Sequence, residues 1–171
     1  MTSQVTLGDD SDQLQNLILR ALGQIMLYVD GMNGVMQNAG AVRFLYKLIA
    51  APNALVCKTA IKLLLVFVEY TESNCLVLVH AISDVDKALG VIPWTNVVGV
   101  MQRPGDHLEA DLATFTMTLV NKTLFGVPDQ DTFYDQSDYM EELGIEGACN
   151  RLWDCWDELC KNWSSGKTDS Q

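Results

Sequence analysis

Leu55-Val-Cys-Lys-Thr-Ala-Ile-Lys-Leu-Leu-Leu-Val-Phe-Val-Glu-Tyr70 is apolar on nearly every side and carries no glycine or proline. It is too long for a typical strand, so it predicts a helix buried at the centre of the fold. Upstream, Pro52 separates it from a helix over about Gly40 to Ala50 with Val42, Leu45, Leu48 and Ile49 inward. A short turn around Val35 and Met36 precedes that helix. Before the turn, Gly31 and Gly34 close a first helix that starts near Asp12, whose side chain can cap free backbone amides. Its apolar stripe reads Leu14, Leu17, Ile18, Leu22, Ile25 and Met26.

Downstream the same reading continues. It gives a helix from about Ser73 to Leu89, a short one after Pro93-Trp94 and a longer one from about Asp106 to Phe125, closed by Pro128. A further helix from about Asp131 to Leu143 stops at Gly144. A last one runs from Ile145 to Cys160, before a polar tail. Helices with short connections, recurring with a loose period of about forty residues, predict an all-α chain of stacked helical repeats of armadillo or HEAT type. Periodicity alone also allows a compact helical bundle.

With 171 residues, 49% of them hydrophobic, the chain fits one domain with a substantial core. Its formal net charge of −11 lacks the footprint that holds a phosphate backbone, which argues against nucleic acid and against anionic membrane surfaces. No apolar run reaches the roughly 18 residues of a membrane span, and Met1 to Asp10 has no secretory pattern. The 5 cysteines, Cys57, Cys75, Cys149, Cys155 and Cys160, form an odd, irregular set that suits a reducing compartment. The triplets at Asn121 and Asn162 match the glycosylation pattern by chance on this reading.

Catalytic chemistry has no visible seat. The 2 histidines, His80 in an apolar helix and His107 beside Gly105-Asp106, belong to no nucleophile or metal motif. Cys149, Cys155 and Cys160 lack the close C-x-x-C pairing of a zinc site. Asp129, Asp131 and Asp135 resemble a calcium loop, but Tyr134 stands where the sharp turn needs glycine and Met140 where the bidentate glutamate belongs. Gly31-Met-Asn-Gly34 follows a helix and lacks the lysine of a phosphate loop. The expectation is a binding module without cofactor or metal, not an enzyme.

Met26-Leu-Tyr-Val-Asp-Gly-Met-Asn-Gly-Val35 is similar to the start of the formin homology 3 region of FHOD-type formins. Lys58 to Tyr70, Leu119-Val-Asn-Lys-Thr-Leu124, Pro128 to Asp135 and Leu143-Gly144 resemble that family in the same order, covering roughly Leu17 to Leu152. The resemblance implies an armadillo-like, right-handed helical solenoid of roughly three repeats over residues 12–152. It also implies a role as the inhibitory module of a formin, cytoplasmic and associated with the actin cytoskeleton. Such a module binds the autoregulatory C-terminal segment of the same formin and so restrains actin nucleation and elongation. A Rho-family GTPase would act through a neighbouring domain, and contact with actin structures would be indirect. The alternative is a dimerisation or actin-targeting scaffold. The parts of a formin that flank such a module have no counterpart here, so the expectation is a fragment or truncated isoform. Residues 1–11 are expected to be a flexible N-terminus and 164–171 a disordered tail. Trp153 to Trp163 departs from the family. Leu152, Trp156, Leu159, Cys160 and Trp163 fall at helical spacing, which suggests a capping helix over 153–163 that covers the open end of the stack.

In armadillo folds, the resemblance implies, the third helix of each repeat lines a concave groove. On the central helix Lys58, Lys62, Leu65 and Glu69 share a stripe, with Val66 beside Leu65. On the later long helix Thr114, Met117, Thr118 and Asn121 lie opposite a core face of Leu108, Leu112, Phe115 and Leu119. These two stripes are expected to border a groove for an amphipathic helix, against the plainer reading of a solvated face. Asp129, Asp131, Asp135, Asp138, Glu141, Glu142 and Glu146, with no basic residue among them, would steer a positively charged segment over roughly a Debye length of about 8 Å.

Overall fold

The computed structural model describes residues 3–103, 107–150 and Trp153. Its helices are α1 (Ser3–Met26), α2 (Val29–Gln37), α3 (Ala39–Ile49), α4 (Ala54–Tyr70), α5 (Ser73–Leu89), α6 (Thr95–Met101), α7 (His107–Phe125) and α8 (Gln130–Glu142). Residues 145–150 are helical again. The chain is an all-α helical solenoid, and α4 is its centre: it packs on α1, α3, α5 and α7. Val56, Cys57, Ala60, Ile61, Leu64, Leu65, Phe67 and Val68 bury most of its circumference, which is why the run is apolar nearly all round.

Side chains that cap helices also join them. Asn53 Oδ1 accepts from the Leu55 and Val56 amides at 3.0 and 3.3 Å, satisfying two free donors at the start of α4. Its Nδ2 donates to Asp12 Oδ2 at 2.9 Å. Asp12 therefore ties α1 to α4 instead of starting a helix, and α1 begins at Ser3. Asn38 Oδ1 caps α3 in the same way, at 3.0 Å to the Gly40 amide.

The stretch read from sequence as a helix end and a turn is a helix. Gly31 lies inside α2, where a Cβ would collide with the Ile25 carbonyl oxygen, so only glycine lets α2 fold back so tightly on α1. The α1 stripe also differs from expectation. Leu19 and Met26 are buried, but Leu14, Leu17 and Ile25 are exposed. Among the described helices α1 packs on α2 and α4, and the residues turned toward those two find cover while the opposite apolar side does not.

Behind α4, a polar network fastens α3, α5, α6 and α8. Asp86 on α5 is fully buried and accepts from Tyr46 Oη at 2.5 Å and from Asn96 Nδ2 at 3.1 Å. Backbone N–H groups of Trp94 and Thr95 also point at its carboxylate. Burial pushes the Asp86 carboxyl above the usual carboxylate range, partly offset by those donors; burial and the nearby Asp86 charge push the Tyr46 phenol up as well. Trp94, at φ 76°, occupies the left-handed region, and its Nε1 donates to Gln136 Oε1 on α8 at 3.0 Å. Its indole is wholly buried, so this bond satisfies a donor that water cannot reach.

Candidate protein-binding face

Three cross-links fix α7 against α4. Lys58 Nζ lies 3.1 Å from Asp111 Oδ2, a pair separated by 53 positions along the chain. Lys62 Nζ lies 4.8 Å from the centre of the Phe115 ring, and Lys122 Nζ lies 3.2 Å from Glu69 Oε1, both at the same separation. A constant offset requires parallel helices in fixed register. The Asp12–Asn53 bond, and the packing of Gly23 against Leu63, give α1 the same sense relative to α4. Helices α1, α4 and α7 are thus the parallel rungs of a ladder.

The outer side of the α4–α7 pair mixes apolar and charged groups. Leu55, Val66 and Phe125 are exposed there, Phe125 at 86%. Two cavities open on the pair. One, of about 310 Å³, is lined by Ala54, Leu55, Lys58, Thr59, Lys62 and Leu112. The other, of about 470 Å³, is lined by Val68, Glu69, Glu72, Cys75, Lys122, Phe125 and Gly126. Gly126 is required at the second, because a Cβ would run into Cys75 Sγ. Burial, followed by the Glu72 charge, pushes the Cys75 thiol up, which disfavours the thiolate needed for nucleophilic attack. Exposed apolar side chains rimmed by ions suit a peptide helix better than a small substrate.

The FHOD1/3 FH3 domain family model matches residues 12–148. The chain belongs to the FHOD formin homology 3 family. It is 53% identical over 152 residues, 88% of its length, to FH1/FH2 domain-containing protein 3 of Mus musculus. The Homo sapiens protein of that name gives the same identity and coverage. Against FH1/FH2 domain-containing protein 1 of Homo sapiens the identity is 46% over 137 residues, 80% of this chain. These matches take in 10%, 11% and 12% of the respective relatives, so the chain spans about a tenth of their length.

In this formin homology 3 chain Lys58, Lys62, Val66 and Glu69 lie on the α4–α7 side, whereas Leu65, only 9% exposed, turns into the core. One helical residue rotates a side chain by about 100°, enough to separate Leu65 from Val66. On α7 Thr114 and Asn121 are exposed and Thr118 is half-buried. Met117 is half-buried with its Sδ 3.9 Å from Cys149 Sγ, so it faces the helical segment after Gly144 rather than α4. On α7, Asp111, Phe115 and Lys122 pair with charged groups of α4. Phe115, expected on the core face, packs against the core and is half-buried beneath two ammonium groups. The constant offset of 53 between complementary residues was the sequence signal for this edge.

The seven acidic residues from Asp129 to Glu146 are all exposed. Asp129 caps α8, its Oδ1 accepting from the Thr132 amide at 2.7 Å, and that bond holds its carboxyl below the usual range. Helix α8 is fastened on the α6 side, through Trp94 and through Gln102 Nε2 to the Leu143 carbonyl at 3.1 Å. Among the described residues, Asp111, Glu69 and Glu72 put carboxylates on the α4–α7 face. Leu108, His107, Leu152, Trp156, Leu159, Cys160 and Trp163 lie outside the residues whose side chains are described. So do Cys155, the tail 164–171 and all of the expected capping helix except Trp153, which is helical and exposed.

Proposed function

We propose that the α4–α7 face receives an amphipathic helix from the autoregulatory C-terminal segment of the same formin, and that this contact restrains actin assembly. The observation that carries the reading is the row of exposed Leu55, Val66 and Phe125 along two parallel rungs, with a cavity at each end of the row. Family membership supports a regulatory role in a formin. Release by a Rho-family GTPase acting through a neighbouring domain, an indirect tie to actin structures and a cytoplasmic location belong to the same proposal.

Calorimetric titration with a peptide from the C-terminal tail of a full-length FHOD formin tests it. Micromolar binding that weakens with salt and disappears in Val66→Glu supports the face. Binding unaffected by Val66→Glu counts against it. A second reading, as a dimerisation or targeting module, is favoured by the exposed Leu14, Leu17 and Ile25 stripe of α1. Sedimentation separates the two: concentration-dependent self-association lost in Leu17→Lys supports the second reading alone.

A further inference from the structure

We propose that the α4–α7 face is directional and holds a carboxylate subsite. A docked helix lies with its acidic end over Lys58 and Lys62 and its basic end over Glu69 and Glu72. This rests on the reading of the face as a helix-docking surface and adds what sets the direction of the guest.

The two ends of the face differ in charge. At the first, Lys58 and Lys62 place their ammonium groups 5.5 and 4.8 Å from the centre of one Phe115 ring. Asp111 offsets one of the two charges, at 3.1 Å from Lys58. Lys62 is exposed and its described contact is with a ring, so among the described side chains around this cavity the two lysines outnumber the one paired carboxylate. The adjoining cavity of about 310 Å³ has an apolar floor of Ala54, Leu55 and Leu112 with both lysines at its rim. Such a site suits the methylenes and carboxylate of a glutamate.

At the other end Lys122 offsets Glu69 at 3.2 Å, while Glu72 adds a further exposed carboxylate beside the exposed Phe125 ring. That combination suits an arginine or lysine, through the carboxylate and through the ring face. Because α4 and α7 are parallel, their backbone dipoles share one sense, positive toward Lys58 and negative toward Glu69. The side chains and the backbone therefore agree. From Lys58 to Glu69 is three helical turns, roughly 16 Å at 1.5 Å per residue, which is beyond the Debye length of about 8 Å. The two ends act as separate readers, and the guest needs acidic and basic groups about eleven residues apart.

The test uses two synthetic amphipathic helical peptides with one shared apolar face. One carries glutamates in its first turn and arginines about eleven residues later; the other has that order reversed. Each bears a nitroxide at its amino end, and broadening of the Leu55 and Val68 methyl signals of the full chain reports where that end sits. The first peptide is expected to broaden Leu55 and the second Val68, so that the acidic end lies at Lys58 and Lys62 in both. Reversing the face with Lys58→Glu, Lys62→Glu, Glu69→Lys and Glu72→Lys, with folding checked by circular dichroism, is expected to exchange the two patterns. Lys62→Glu alone should weaken binding of both by about threefold to tenfold. If both peptides place their amino end at the same methyl whatever their charge order, the directional subsite is overturned and the docking face stands. If neither peptide binds, both fail.

Discussion

Replacing Tyr46 with phenylalanine removes one hydroxyl from the interior and leaves the ring in place. That hydroxyl donates to the Asp86 carboxylate at 2.5 Å, and neither residue touches solvent, so no water replaces it. A hydrogen bond to a charged acceptor contributes about 1.5–3 kcal/mol. Asp86 keeps Asn96 at 3.1 Å and the Trp94 and Thr95 amides, which places the expected loss near the middle, about 2 kcal/mol. For a chain of this length that corresponds to a fall in Tm of about 4–8 °C. The sign of the pH dependence follows from the raised Asp86 carboxyl. The fold opposes its ionisation, so stability present below the ordinary carboxylate range is lost as pH rises through the raised value. Asp86→Asn has no charge to bury. It should therefore trail the wild type most below the ordinary carboxylate range and gain on it as pH rises through the raised value. Urea unfolding followed by far-ultraviolet circular dichroism, run on both single variants and the double variant, gives the coupling. A Tyr46→Phe loss under about 0.5 kcal/mol, or a pH-independent gap between wild type and Asp86→Asn, refutes the reasoning.

Asn53→Ala removes the cap of α4 and the donor to Asp12 together, and urea titration should show a loss of about 1–2 kcal/mol. Gly126→Ala drives a methyl into Cys75 Sγ and should cost about 1–3 kcal/mol, with partial recovery in the Gly126→Ala, Cys75→Ala double variant. Val66 is 48% exposed, so Val66→Glu should leave thermal stability within about 0.5 kcal/mol of the wild type while removing tail binding.

Much of the ladder is legible in the sequence. Pro52 bounds α4, the apolar run over Leu55 to Tyr70 is the buried centre, and Val42, Leu45, Leu48 and Ile49 point inward in α3. What periodicity misses is which apolar side finds a neighbour. A rung of a stack has two apolar sides, one for each adjacent rung, and helical spacing cannot rank them. That is why Leu14, Leu17 and Ile25 are exposed while Leu19 is buried. The same ambiguity puts Leu65 on the binding face in the sequence although it is buried, since about 100° separates neighbouring residues on a helix. Gly31 within α2 reads as a helix stop in the sequence because nothing local reveals the close approach of the Ile25 carbonyl. The buried Asp86 network joins residues far apart in the chain through ordinary residue types, which carry no local pattern.

The most direct measurement is a methyl chemical-shift map of the full chain titrated with the C-terminal tail peptide of an FHOD formin. Shifts concentrated at Leu55 and Val66, with Leu89 and Val91 unmoved, are the result expected if α4 and α7 form the docking face. Shifts confined to α1, or to Met140 on the acidic helix α8, with Leu55 and Val66 silent, contradict it.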